Sequence, residues 1–83
     1  MQNKFNTLDE FYDNLKRGGE IEFRYKGKEY CITHPEGKIS IMEKYNYETE
    51  KLYEDIEEVG EYVIEDKKLK EIVSSIEIIF RCF

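Results

Sequence analysis

Histidine is nearly missing from this chain, cysteine is sparse, and no apolar run approaches the length of a membrane span. The single His34 precedes a proline at an expected turn, and no second histidine or nearby cysteine completes a metal or acid–base set around it. A general base or a metal ligand beside Glu36 is the functional reading of His34; a solvated turn residue is the simpler one. Cys31 and Cys82 lie far apart and form no CxxC unit, so they are expected as free thiols of a reducing compartment. Without about 18 consecutive apolar residues, no transmembrane helix is expected. The opening MQNKFNTLDEF has no basic stretch leading into an apolar one, which argues against a signal peptide and for a cytoplasmic location. Gly18-Gly19 ends an expected helix where a phosphate-binding loop would begin one. Ser74 and Ser75, placed inside an expected helix, have no histidine to activate them. The expectation is therefore a protein with no catalytic residues, no cofactor and no metal site.

What the chain does have is charge, and the charge is uneven. Its 83 residues suit one domain, 1–83, with a small core and a stability of a few kcal/mol. The formal net charge is −6. Residues 48–66 carry nine acids against the single base Lys51, a net of −8, while the remaining chain is close to neutral. The spacing of these acids does not match a calcium loop, which needs ligands at alternate positions around a central glycine. A solvated helix face is their simplest reading. An acidic field of this kind repels phosphates and attracts basic protein surfaces, which disfavours direct binding of nucleic acid.

Hydrophobic periodicity gives the fold. Thr7 with Glu10 forms a capping box, Leu8, Phe11 and Leu15 make one stripe, and Gly18 supplies a left-handed stop, which predicts a helix over 8–17. In EIEFRYKGKEYCI, Glu20 to Ile32, apolar residues alternate on both sides of Lys26-Gly27, the pattern of a hairpin. A two-residue loop there sets Phe23 opposite Tyr30, Ile21 opposite Ile32, and Arg24 opposite Glu29. After a turn at His34–Gly37, alternation resumes at Ile39 and Ile41, and matching apolar and charged partners predicts Ile32 facing Ile39, Tyr30 facing Ile41 and Lys28 facing Glu43. Residues 44–53 fit either an extension of that strand or a loop. Asp55 with Glu58 opens a helix near 56–62 with Ile56, Val59 and Val63 as its stripe, weakened by Gly60. Asp66 then caps a helix over 67–76, with Leu69, Ile72, Val73 and Ile76 in register. The tail from Ile76 fits a helix extension or a strand. The class is α+β: a three-stranded antiparallel meander near 20–43, covered by an N-terminal helix and one or two C-terminal helices, in the order α-β-β-β-α-α. The expected core is Leu8, Phe11, Leu15, Ile21, Phe23, Tyr30, Ile32, Ile39, Ile41, Ile56, Val59, Leu69, Ile72, Val73 and Ile76.

Tyrosines keep company with the acids, at positions 45, 47, 53 and 62. Tyrosine supplies large, stiff, amphipathic surface at protein interfaces. The candidate partner-binding residues are Tyr47, Tyr53, Glu54, Asp55, Glu57, Glu58 and Glu61.

In size, charge and the pattern LDEFYDNLKRGGEIEFRYKGKEY…DIEEV…KKLKEIVSSI, the chain resembles the small anti-CRISPR proteins of phages in Gram-positive bacteria. That resemblance implies a cytoplasmic inhibitor that mimics DNA on a basic groove of a host nuclease, such as a CRISPR effector. It assigns no residue a role. An immunity protein or antitoxin that neutralises a basic toxin would carry the same charge pattern. So would a structural protein whose acids only keep it soluble.

Overall fold

The computed structural model describes residues 4–82. Helix α1 spans Leu8–Lys16, with Thr7 Oγ1 accepting the Glu10 N–H at 3.1 Å. The reciprocal half of the cap is displaced by one residue, because Glu10 Oε1 accepts from Asn6 rather than Thr7. Arg17 closes the helix and Gly18 turns the chain at φ 79°. Strands β1 (Ile21–Tyr25) and β2 (Lys28–Thr33) pair in the expected register around Lys26-Gly27, both left-handed. Alternation decided that register, since a slip of one residue would turn Ile21 and Phe23 into solvent.

Strand β3 (Ile39–Glu43) pairs with β2 two residues away from the expected register: Ile32 faces Ile41, and Tyr30 faces Glu43. A slip of two preserves both faces, so the apolar pattern cannot tell the two pairings apart. The turn decides. Pro35–Lys38 forms a tight turn closed by the Lys38 N–H donating to the Pro35 carbonyl at 2.9 Å, with Glu36 and Gly37 successively left-handed, at φ 51° and 81°. This arrangement leaves Ile39 to pair with Tyr53 of a fourth strand, β4 (Lys51–Tyr53). Lys28 accordingly meets Glu65, at 3.8 Å, rather than Glu43.

The second half departs further from the expected layout. Helix α2 covers only Ile56–Val59, with Glu58 Oε1 accepting from the Asp55 N–H. Gly60 ends it instead of lying inside it, and Val63 is exposed in a hairpin rather than on a helix stripe. That hairpin joins β5 (Val63–Ile64) to β6 (Lys67–Lys68) across Glu65 and Asp66, both with positive φ. Asp66 is thus a turn residue and not a helix cap. The expected helix over 67–76 shrinks to α3, Leu69–Ile72, followed by a turn that holds Ser74 and Ser75 exposed. All four residues of its stripe are nonetheless buried. The stripe reported which side chains go inside, while the poor helix formers Val73, Ser74 and Ser75 and the β-branched tail stopped the helix early.

That tail is β7 (Glu77–Arg81), antiparallel to β1 with a register shift beside Phe23. The sheet therefore has five strands in the order β4-β3-β2-β1-β7, all antiparallel, rather than three. One face packs Ile21, Phe23, Tyr30, Ile32, Ile39 and Ile41 against Phe11, Leu15, Val59, Leu69, Ile72, Val73 and Ile76 in one cluster. Phe5, Tyr62 and Ile64 join this core unforeseen, whereas Leu8 and Ile56 are only partly buried at its margin. Phe23 stacks on Tyr30, and burial, with Glu43 nearby, pushes the Tyr30 hydroxyl up to about 12.

Candidate functional site

The acidic residues are held along the β4 side of the sheet. From β3 the chain turns at Lys44-Tyr45, with Tyr45 at φ 68°, and passes through a 3-10 turn at Tyr47–Thr49 into β4. Thr49 fastens this connection: its hydroxyl accepts from the Glu43 N–H at 2.8 Å and donates to the Asn46 carbonyl at 2.7 Å, and its own carbonyl accepts from the Tyr62 hydroxyl at 3.0 Å. The loop is thus pinned to the core through Tyr62. Glu50 is tied back as well, accepting a short hydrogen bond from the buried Ser40 hydroxyl.

The expected binding residues divide into two groups. Tyr47 is 78% exposed, whereas Tyr53 packs its ring against the core. Burial, with Tyr62, Glu58 and Glu61 around it, raises the Tyr53 hydroxyl above its ordinary range. Glu54, Asp55, Glu57 and Glu58 are all exposed, and none of them forms an ion pair among the described residues. Glu61 is different. Lys68 and Lys70 each approach its carboxylate at 2.7 Å, and their hydrogen bonds hold it down to about 2. Its charge is already compensated within the molecule.

A groove of about 320 Å³ runs beside β4, between the 3-10 turn and the start of the β5–β6 hairpin. Glu48, Glu50, Tyr53 and Glu61 line it together with Tyr62 and Val63. Glu48, Glu50 and Val63 escaped notice in the sequence as site residues. No local pattern marks them: the three residues of β4 are too few to show a period, and Val63 reaches the groove from the β5–β6 hairpin.

The remaining chemically suggestive residues are placed separately. His34 is half-buried, and its Nε2 donates to the Gly19 carbonyl at 2.7 Å, linking the β2–β3 turn to the end of α1. It is therefore a strut between two loops rather than a solvated turn residue. The Cys31 thiol is raised by burial and by Glu22, the reverse of what a reactive thiolate needs. Cys31 and Cys82 are both free. Among the described residues, no three of His, Cys, Asp or Glu converge as metal ligands would. No helix among them is long and apolar enough to cross a membrane. Comparison with family models, with curated proteins and with solved structures finds no match.

Proposed function

We propose that this chain is a small, non-catalytic acidic protein that docks its 45–66 segment on a basic, nucleic-acid-binding surface of a partner protein, in the manner of DNA-mimicking anti-CRISPR proteins. One observation carries the reading: of the nine acids between 48 and 66, only Glu61 and Glu65 find a cation among the described residues. Apart from Glu50, which the Ser40 hydroxyl ties back, the rest present carboxylates to solvent on a pinned scaffold, where a partner's Lys and Arg would otherwise hold phosphates. Glu54, Asp55, Glu57 and Glu58 supply the charge. Electrostatic attraction at an exposed rim gives speed and selectivity more than affinity. Tyr47, exposed and stiff, is the anchor, and Tyr53 shapes the surface from below.

The test is affinity purification from the host with nucleic acid as competitor. A basic nuclease should be retained, released by added nucleic acid, and lost when Glu54, Glu57 and Glu58 are changed to lysine. Retention that survives both treatments, or retention of no basic protein, overturns the reading. A toxin recovered in place of a nuclease would identify the chain as an antitoxin acting through the same surface.

A further inference from the structure

The backbone parity of the sheet singles out one residue at its edge. Lys44 N–H donates to the Glu29 carbonyl at 2.8 Å, so position 44 of the β3 side directs its backbone groups to β2. In an antiparallel ladder this alternates, so Met42 and Ser40 also bond to β2, while Ile41 and Ile39 bond to β4. Their β4 partners are Lys51 and Tyr53. Leu52, between them, therefore turns its N–H and C=O out of the sheet, where no strand lies among the described residues. Its side chain is 54% exposed on the uncovered face.

The two edges of the sheet are not equivalent. Beside β1, strand β7 carries a register irregularity, the kind of feature that spoils an edge for further pairing. No such irregularity interrupts β4, and the 320 Å³ groove runs alongside it. Acids stand at both ends of β4: Glu48 and Glu50 before it, Glu54 after it.

We infer that β4 is a docking edge for an extended, Lys/Arg-bearing segment of a partner protein, which adds to the sheet as a sixth strand. This rests on the acidic segment being a docking surface and specifies how it is used. Main-chain hydrogen bonds to Leu52 provide the attachment, and alternate guest side chains provide the selection. One set lies over Leu52 on the open face. The other enters the groove beside Tyr53 and the 62%-exposed Val63, with its cations toward Glu48 in the groove wall and toward Glu54 just past the end of β4. The same acids repel a second copy of this edge, which favours a basic guest over self-pairing.

The experiment titrates the full chain with an eight-residue peptide alternating Lys and Val, with a Glu-Val peptide and a Lys-Pro peptide as controls, followed by amide NMR and calorimetry. The Lys-Val peptide should bind, and exchange of the Leu52 amide with solvent should slow by about tenfold or more at saturation. The Glu-Val peptide should not bind. The Lys-Pro peptide keeps the charge but lacks strand donors, and should bind at least about tenfold more weakly. Leu52→Pro removes an outward N–H that β3 does not use, and should weaken Lys-Val binding by a similar factor in a chain that melts cooperatively. Equal binding of the two basic peptides, or an unprotected Leu52 amide in the wild-type complex, overturns strand addition while leaving acidic docking standing. Protection of Leu52 that rises with protein concentration alone shows a second copy at this edge and also overturns it. Lys-Val binding unchanged by Glu48→Lys with Glu54→Lys overturns the acidic docking reading itself.

Discussion

The β1–β2 hairpin and the 48–66 segment are both dense in charge, yet they use it in opposite ways. Arg24 on β1 bridges Glu29 at 3.2 Å and Glu77 at 3.3 Å, while Lys44 reaches Glu22 at 3.1 Å and Glu29 at 3.6 Å. These links join β7, β1, β2 and the end of β3 across the open face of the sheet. Hydrogen bonding to Arg24 lowers the Glu29 carboxyl, and hydrogen bonding to Glu22 raises the Lys44 ammonium. Exposed pairs of this sort add little stability individually, but they leave no net field. Along 48–66 most of the acids have no such partner among the described residues, so their field extends into solvent. Charge that is cancelled locally ties strands together, and charge left over is available to something outside the molecule.

The difference is open to direct attack. If the hairpin half carries the core, Phe23→Ala should cost about 3–5 kcal/mol and leave the domain largely unfolded. Phe23 is fully buried under Tyr30. A urea or thermal melt within a few degrees of the parent would show that the core lies elsewhere.

A second substitution asks whether the acidic half is packed at all. Helix propensity alone favours alanine over glycine at position 60. A Cβ there, however, would run into the Tyr12 hydroxyl and sit 3.1 Å from Lys70 Cβ. Gly60→Ala should therefore destabilise, by about 1–3 kcal/mol, through overpacking. A more stable variant would mean that α1 and α2 are not in close contact.

Acid titration separates Glu61 from its neighbours. Its carboxyl falls from 4.5 to about 2 in the folded chain because Lys68 and Lys70 hydrogen-bond to it. A group depressed on folding contributes stability above its unfolded value and loses it as pH drops through the folded one. Wild-type protein should therefore lose stability between pH 4.5 and about 2 more steeply than Glu61→Gln. Parallel curves would show that the lysine clamp does not hold in solution.

The smallest effect sharpens the contrast most. Glu48→Gln and Glu54→Gln should each change stability by no more than about 0.5 kcal/mol, measured by urea unfolding, since neither side chain supports the fold. A loss beyond 1 kcal/mol would make these acids structural and return the 48–66 charge to the fold.

Legibility follows the same division. At β1–β2 a two-residue turn fixes the pairing that alternation and the Arg24–Glu29 pair suggest, and the register could be read directly, whereas across β2–β3 the same two signals agreed on a pairing two residues off. It could not be read at Glu65-Asp66, because neither residue is the glycine or asparagine that marks a hairpin turn. Nor could it be read at Leu52, where three residues are too few to show a period. Of the candidate site, the acids themselves were legible from composition, but the capture of Glu61 by two lysines was not, since Lys68 and Lys70 approach it across a turn.

By itself the sequence determined the hairpin, the first helix, and most of the side chains that enter the core, because burial patterns of period 2 and 3.6 are local and survive rearrangement of the elements; Phe5, Tyr62 and Ile64, which belong to no such stripe, were missed. Only the tertiary structure decided the two-residue shift of β3, the shortening of the last helix, and the addition of β4 and β7. Each of those choices leaves the same faces buried, so hydrophobicity is indifferent to it. The outcome rests instead on turn geometry and on which sheet edge is free to pair.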